Sequence, residues 1–343
     1  MAMIDVTIRG AGAFGLSVAW ACVKRGAKVR VIDPGGPGAG SSGGIVGALA
    51  PHVPENWNDK KAFQLKSLLM ARDWWPEVAA TGGGDPGYVN AGRLQPVADD
   101  HALELARGRA AGAAELWQGH ALWDVIRTES DWAPQSPSGW WIRDTLSAHL
   151  SPAGACDALA RAIIAKGGEI VTEGPEQGAL VLATGAAGLE DLSREMGRTI
   201  GQPIKGQAAL LEQNRAGAPQ LFADGLHVIP HLNGTVAIGS TTEREFDGLG
   251  TDALLDDVVA RARAAVPALR DAPEIARWAG LRPRARSRAP MLGPHPLRSG
   301  VFIANGGFKI GFGMAPAAGE AMADLVLEGR DTIPEGFRVE ASL

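Results

Sequence analysis

The chain has 343 residues, enough for two domains or for one doubly wound domain with a large insertion. Hydrophobic residues make up 45% and charged residues 21%, and the formal net charge is −5, so the composition shows no overall bias toward nucleic acid or an anionic membrane. The two cysteines, Cys22 and Cys156, lie in predicted helices and outside any metal-ligand spacing, so neither a disulfide framework nor a metal site is expected.

An apolar run over residues 11–23 raises the question of a secretory signal. Arg9 is the only basic residue before this run and glycines interrupt it, so a signal peptide is not predicted. No run of about 18 or more apolar residues indicates a membrane span. We therefore expect a cytoplasmic protein without membrane contact, and the sequence leaves a homo-oligomer open.

The first elements in chain order form a βαβ unit: a strand over 5–9, a helix over 14–24 and a strand over 28–33. A loop of Gly, Pro and Ser follows over 34–47, and helical spacing returns over 61–75. Further helices are predicted over 101–117, 151–166, 252–266 and 316–327, and further strands over 169–171, 179–183, 205–212, 227–230, 235–239 and 301–304. Pro316 is expected near the first turn of the last helix.

This order indicates an α/β domain that the chain leaves and re-enters, with an α+β domain interleaved. The stretch 82–141 differs in character, because Ala-rich helical runs alternate there with short turns. It holds five of the ten tryptophans, between Trp117 and Trp141, and most of them are expected to pack in the core and between the domains.

The glycine turn after the first strand is the clearest chemical motif. It reads Gly10-Ala11-Gly12-Ala13-Phe14-Gly15, and it follows a strand and opens a helix. The first glycine allows a tight turn, the second leaves room for a pyrophosphate, and the third lets helix and strand pack closely. The helix N-terminus offers free N–H groups to the phosphates, which predicts a bound dinucleotide.

Asp33, at the end of the second strand, is placed to accept hydrogen bonds from an adenosine ribose. Its charge would repel the 2′-phosphate of NADP, while NAD and FAD both remain compatible with the motif. The loop over residues 40–51 favours FAD, because its hydroxyls and bare backbone suit a phosphate chain and its apolar second half suits a flat ring.

Several segments together resemble the glycine oxidase/D-amino-acid oxidase family of flavoproteins. The most specific is Trp278-Ala279-Gly280-Leu281-Arg282-Pro283, which is similar to the family's W-x-G-L-R-P segment. The glycine-rich stretch 305–319 is similar to the segment in which the chain of family members comes back to the flavin and enters the following helix. The turn Ala183-Thr184-Gly185 and the segments 203–207 and 239–241 also match.

The resemblance implies an α/β fold: a discontinuous, Rossmann-like FAD-binding domain of the GR2 type and an interleaved α+β substrate domain with an antiparallel sheet. The FAD-binding domain is expected over 1–80, 143–200 and 280–343, and the substrate domain over 81–142 and 201–279. FAD is expected to be non-covalent, since no cysteine follows Cys156. The predicted cofactor-binding residues are Gly10, Ala11, Gly12, Ala13, Phe14, Gly15, Asp33, Pro34, Ser41, Ser42, Gly43, Gly44, Ile45, Val46, Gly47, Ala183, Thr184, Gly185, Gly307, Phe308, Lys309, Ile310, Gly311, Phe312 and Gly313.

By the same resemblance, Arg282 corresponds to the arginine that holds the substrate carboxylate. Lys309 falls where glycine oxidases have a second arginine, and His227 where the family often has a tyrosine, so the carboxylate-binding set is altered. The implied reaction is hydride transfer from the α-carbon of an amino acid or secondary amine to flavin N5, with hydrolysis of the imine and reduction of O2 to H2O2. No catalytic side chain is assigned, because the flavin carries the chemistry.

One further departure concerns the short segment 172–178, which predicts a trimmed adenine side of the site. Two alternatives within flavoproteins stay open at this point: an oxidoreductase acting on the carboxymethylaminomethyl group of a tRNA wobble uridine, and an amine dehydrogenase with another electron acceptor. Nucleic acid binding is disfavoured by the negative net charge. An NAD-linked dehydrogenase or a flavin-holding subunit of a larger enzyme is the remaining alternative.

Overall fold

The computed structural model describes residues 3–343, which form two large sheets and their covering helices. The helices are α1 (Ala13–Lys24), α2 (Asp59–Gly82), α3 (Asp100–Leu116), α4 (Pro152–Ala165), α5 (Gly185–Glu195), α6 (Ala253–Ala265) and α7 (Gly311–Glu328). The strands are β1 (Val6–Arg9), β2 (Val29–Ile32), β3 (Ala48–Leu49), β4 (Arg93–Pro96), β5 (Trp123–Ile126), β6 (Trp141–Asp144), β7 (Ala148–His149), β8 (Glu169–Val171), β9 (Ala179–Leu182), β10 (Gly201–Glu212), β11 (Gln220–Ala223), β12 (Leu226–Pro230), β13 (Thr235–Gly239), β14 (Glu274–Ala285), β15 (Met291–Pro294) and β16 (Val301–Asn305).

The first sheet has the order β15-β16-β9-β1-β2-β8, and all its neighbours pair in parallel except β15 with β16. Its central strand β1 is buried on both faces, since Val6 and Ile8 on one face and Thr7 on the other have no exposed surface. The expected βαβ unit is therefore present, and its strands end at one edge of the sheet.

Four helices, α1, α2, α4 and α7, pack together beside the first sheet. The crossing of α1 and α7 is close, because a Cβ added at Gly319 would lie 2.6 Å from the carbonyl oxygen of Ser17. Trp20 and Trp75 are fully buried in this layer. The packing holds the N-termini of α1 and α7 on the same side of the sheet as the strand ends.

The second sheet has the order β14-β10-β13-β12-β11-β4-β6-β5 and is antiparallel except where β11 pairs with β4. Its long strands β10 and β14 have 12 residues each. Helix α6 packs on one face through Leu255 and Val259 in a separate apolar core. The other face is turned toward the N-terminal glycine turn, and the site lies between them.

The start predicted for the last helix is wrong. The helix α7 begins at Gly311, so Pro316 lies inside it rather than near its first turn. Glycine lowers helix propensity, but tertiary packing outweighs propensity here, since residues 313–319 are all buried against α1 and α2. Pro316 removes only one intrahelical hydrogen bond, the one to the carbonyl of Phe312.

Other elements were not predicted by sequence pattern. The stretch 82–141 contains the strands β4 and β5 as well as the helix α3, so its description as helical runs and turns is wrong in part. The helix α5 and the strand β14 were also missed. The strands β4 and β5 have four residues each, too few to show the alternation of apolar and polar residues that identifies a strand. Most of the tryptophans there are buried as expected, including Trp117, Trp123 and Trp132.

The domain boundaries stay a prediction. Two of them, at 142/143 and 279/280, fall inside the strands β6 and β14 of the second sheet. Within residues 3–343, no helix is long and apolar enough to cross a bilayer.

Candidate functional site

A cavity of about 1170 Å³ lies between the two sheets. Its walls come from the ends of β1, β2 and β9 in the first sheet and from β12 and β14 in the second. Ligands of open α/β sheets bind outside the carboxyl ends of the strands, which is where this cavity begins. Drug-sized ligands fill pockets of roughly 300–1,000 Å³, so the volume suits a dinucleotide together with a small substrate.

The glycine turn forms the first end of the cavity. Gly10 has φ of 105°, a backbone conformation that favours glycine, and Gly12 is the N-cap of α1 without a side-chain cap. Ser42 supplies the missing partner, since its Oγ accepts from the N–H of Ala13 at 2.9 Å. The amides of Phe14 and Gly15 have no acceptor within residues 3–343. Unpaired N–H groups at a helix N-terminus favour a phosphate.

Asp33 ties this turn to the end of β2. Its Oδ2 accepts from the N–H of Ala11 at 2.8 Å, and its Oδ1 accepts from the N–H of Gly35 at 2.9 Å. A carboxylate has about four acceptor positions, so two remain for ribose hydroxyls. The carboxylate is therefore fixed in place before any ligand binds.

Two more helix N-termini face the cavity. Thr184 is the N-cap of α5, and residues 185–188 line the wall. The helix α7 begins at Gly311, and both Gly311 and Phe312 line the wall. Three helix dipoles thus point their positive ends at one cavity, which suits a ligand with several anionic or electron-rich groups.

Most of the predicted cofactor-binding residues line this cavity. Five do not: Ala11, Gly15, Gly43, Ile310 and Gly313. Gly15 instead permits the close approach of α1 to the turn, because an added Cβ would overlap the carbonyl of Gly10. Which of the predicted residues contact a cofactor stays a prediction.

Sequence reasoning missed several residues of the wall, among them Trp278, Ser240, Phe222 and Asn305. A signal for Trp278 was present. In an extended strand, residues two apart share a face, so the pattern W-x-G-x-R places Trp278, Gly280 and Arg282 side by side. Glu176 of the short segment 172–178 also lines the cavity and pairs with Arg9 at 2.8 Å.

Arg282 lies on β14 opposite Ile204, in the part of the cavity wall that the second sheet forms. It is 9% exposed, and its Nη2 donates to Ser240 Oγ at 2.7 Å while Nη1 donates to the carbonyl of Thr241 at 3.1 Å. Burial lowers the pKa of the guanidinium to about 10, so it remains cationic at neutral pH. A buried cation with only neutral hydrogen-bond partners favours an anionic ligand.

The geometry also places Lys309 and His227 in the cavity wall. Lys309 Nζ donates to Thr242 Oγ1 at 2.8 Å, and burial followed by the charge of Arg282 lowers its pKa. His227 packs on Phe222 with ring centroids 4.9 Å apart, and its buried Nδ1 has no partner within residues 3–343. Burial, with the nearby cations, lowers the pKa of His227 to about 3, so the imidazole is neutral.

A polar cluster lies next to the residues that hold Arg282; its members Lys205, Gln207 and Glu243 are buried, and Asp252 is exposed. Lys205 Nζ is 3.0 Å from Asp252 Oδ2 and 3.3 Å from Glu243 Oε2. Gln207 Nε2 donates to both acids, at 2.8 Å to Asp252 and 3.0 Å to Glu243. Thr241 joins through Glu243 and through the N–H of Gln207, which donates to Thr241 Oγ1 at 2.8 Å. The segment that holds Arg282 is therefore fixed by this cluster.

Comparison with known proteins decides the family. The sequence profile of the family described as FAD dependent oxidoreductase matches residues 5–325, nearly the whole chain. The chain belongs to this family. Its cofactor is thus FAD, and the residues present fit it: a long cavity, unpaired helix N-terminal amides and a fixed acid for the ribose. The NAD-linked alternative is accordingly set aside.

Individual relatives agree with this assignment. The glycine oxidase of Geobacillus kaustophilus (strain HTA426) is 26% identical over 362 residues, covering 94% of this chain and 92% of that protein. A crystal structure of glycine oxidase from Geobacillus kaustophilus has a TM-score of 0.84 at 22% identity, with 98% of both chains covered. The iminodiacetate oxidase of Chelativorans sp. BNC1 has a TM-score of 0.82 at 22% identity, with 97% and 98% covered. The predicted family, fold class and cofactor are confirmed.

Proposed function

We propose that this protein is an amine or amino-acid oxidase whose substrate carboxylate binds Arg282. The observation that carries the proposal is this buried guanidinium in the cavity wall, which within residues 3–343 is bonded only to neutral acceptors. A planar guanidinium offers two parallel donors to a carboxylate, which fixes the α-carbon of a bound substrate. Glycine oxidase relatives support this substrate class.

The chain's own residues would position the substrate and exclude water. Trp278 and Phe222 supply apolar walls, and neutral His227 lines the cavity beside Phe222, on which it packs. The first residues of α7, Gly311 and Phe312, line the cavity, and the amides of this helix N-terminus provide positive potential that would stabilise negative charge on the reduced cofactor. Bound FAD would supply the chemistry, taking hydride from the α-carbon to leave an imine that water hydrolyses to an oxo acid and an amine or ammonia, and passing the two electrons to O2 as H2O2.

Anaerobic mixing of the holoprotein with a panel of amines tests the proposal. Substrates of this class should bleach the flavin absorbance, and admitted O2 should restore it with formation of H2O2. Failure of glycine, sarcosine, D-amino acids and larger secondary amines to bleach the flavin would overturn the proposal. Bleaching that is reversed by a dye acceptor but not by O2 would identify an amine dehydrogenase instead.

A second candidate is the oxidation of a carboxymethylaminomethyl group on a tRNA wobble uridine. Three arginines outside the cavity favour this function: Arg244, Arg284 and Arg288. They lie close enough to interact with one another and form no ion pair within 4.0 Å in residues 3–343, so their charges are available to RNA phosphates. Phosphate contacts depend steeply on salt. Filter binding at low salt separates the two functions, since tight tRNA binding by the holoprotein would favour the RNA substrate.

A further inference from the structure

Five basic side chains without an acidic partner lie in or near the part of the cavity wall that contains Phe308. We call Arg244, Arg282, Arg284, Arg288 and Lys309 the basic mouth. No Asp or Glu oxygen lies within 4.0 Å of any of them in residues 3–343, although the whole chain has a net charge of −5 and many surface ion pairs. Arg284 and Lys309 both lie over the Phe308 ring, at 5.8 and 5.7 Å from its centroid.

The two cations of the basic mouth that line the cavity are held close together. Arg282 donates to Ser240 Oγ and to the carbonyl of Thr241, and Lys309 donates to Thr242 Oγ1. Their anchors are thus three consecutive residues that follow β13. Both side chains line the cavity, and the charge of Arg282 contributes to the lowered pKa of Lys309. Arg282 is buried and Lys309 is exposed, and two like charges kept this close raise the energy of the ligand-free state.

The nearest acid does not balance these charges. Glu243 interacts with Arg282 at a distance, but its carboxylate is already bonded to Lys205, Gln207 and Thr241. A single substrate carboxylate held by Arg282 would leave Lys309 without a counterion. The bond of Lys309 to Thr242 places it next to the residues that hold Arg282, so both cations can reach one bound ligand.

We infer that the pocket selects amines that carry two carboxylates, one bound by Arg282 and the other by Lys309. This inference rests on the proposed function and narrows its substrate class. Arg244, Arg284 and Arg288 would raise the local concentration of such dianions without contacting them. The second carboxylate has two possible positions, across the nitrogen or on the side chain, and the test separates them.

Matched pairs of amines provide the test, because the members of each pair differ by one carboxylate. Iminodiacetate is compared with sarcosine, and D-aspartate with D-alanine, by anaerobic flavin bleaching in the holoprotein. Calorimetric binding of glutarate and butyrate gives a readout that needs no turnover. We expect the dianion to bind about tenfold more tightly or better in at least one amine pair and in the acid pair.

Variants assign the preference to Lys309. The ratio to measure is the dissociation constant of the monocarboxylic member of the preferred pair divided by that of the dicarboxylic member. Lys309→Met should reduce this ratio to near one, whereas Lys309→Arg should keep it at the wild-type value. Lys166→Met, at an exposed lysine after α4, is the matched control and should leave the ratio at the wild-type value. A melting temperature for each holoprotein shows that the variants are folded.

The outcomes separate the inference from the proposed function. If monocarboxylic amines bleach the flavin as readily as their dicarboxylic partners, or if Lys309→Met leaves the ratio unchanged, the inference is wrong while the oxidase proposal stands. If no amine bleaches the flavin and neither acid binds, both are wrong. If tRNA binds tightly, displaces glutarate and no longer binds to Lys309→Met, the inference is wrong and the two cations bind a nucleic acid instead.

Discussion

Gly206 controls the position of Arg282, and its replacement by alanine gives a direct test of the substrate end. The two residues lie diagonally across the β10–β14 ladder on the same face, since Arg282 pairs with Ile204. A Cβ added at Gly206 would overlap the guanidinium at Nη1, Nη2 and Cζ. The backbone at Gly206 is not in the left-handed region, so alanine fits the strand and folding should survive.

The size of the effect follows from this overlap. Ordinary contact for a Cβ begins at 3.4 Å, so the guanidinium must move by roughly 1 Å or more, which breaks its bonds to Ser240 and Thr241. A misplacement of about 1 Å in a positioning group costs on the order of 10²-fold in rate, or about 2.7 kcal/mol. Gly206→Ala should therefore lower kcat/KM for carboxylate-bearing amines about 100-fold with little change in melting temperature.

The assay compares anaerobic flavin bleaching in Gly206→Ala with the control Gly108→Ala, which adds a methyl group in open space on α3. Arg282→Met alone should weaken substrates by several kcal/mol, on the order of a desolvated charge pair. The two changes should not add, because Gly206→Ala acts only through the arginine. Wild-type kcat/KM in Gly206→Ala, or a full further loss when it is added to Arg282→Met, would refute the placement of the carboxylate at Arg282.

Three other predictions follow from the same geometry. Gly12→Ala places a Cβ 3.0 Å from Ser42 Oγ where a pyrophosphate must approach, so the purified protein should retain less FAD than Gly108→Ala, measured as flavin released on heating. Lys205→Met leaves Glu243 and Asp252 without their cation, so it should lower the melting temperature and raise KM more than it lowers kcat, whereas Lys166→Met should do neither. Burial lowers the pKa of His149 to about 4 and of His227 to about 3, below the usual 6.5, so the folded state binds fewer protons than the unfolded chain and stability falls as pH drops below about 6.5. Below pH 6.5, each histidine should contribute at most about 1.4 kcal/mol per pH unit to the fall in the free energy of unfolding, measured with a chemical denaturant. An unchanged dependence on pH in His227→Gln would count against the burial of His227 as a neutral imidazole.

The glycine turn and its strand–helix context were predictable because the requirements are local. Gly10 needs a positive φ, Gly15 needs a close approach, and Asp33 sits at a fixed distance along the chain, all within one βαβ unit. The family resemblance added the far end of the site through the segment around Arg282. These features depend on short-range geometry, so the sequence carries them without knowledge of the rest of the fold.

The parts that could not be predicted depend on contacts between distant segments. Ser240 is remote in sequence from Arg282, and only the pairing of β13 and β14 with β10 brings the hydroxyl to the guanidinium. The start of α7 at Gly311 depends on burial against α1 and α2, which the glycine-rich sequence does not reveal. Single-residue propensity is too weak to compete with such packing.

The polar cluster around Lys205 explains how Arg282, which has no ion-pair partner in residues 3–343, stays in place. An isolated buried cation would be expelled or would draw in an acid, yet Arg282 is bonded only to a hydroxyl and a carbonyl. Lys205, Gln207, Glu243 and Asp252 satisfy one another, and Gln207 and Glu243 also bind Thr241, so the Thr241 carbonyl that accepts from Arg282 is held in place. Glu243 interacts with Arg282 at a distance without forming an ion pair, and three of the five N–H donors of the guanidinium stay available for a substrate. Loss of this cluster should therefore appear first in substrate affinity, and the KM of Lys205→Met measures that effect separately from stability.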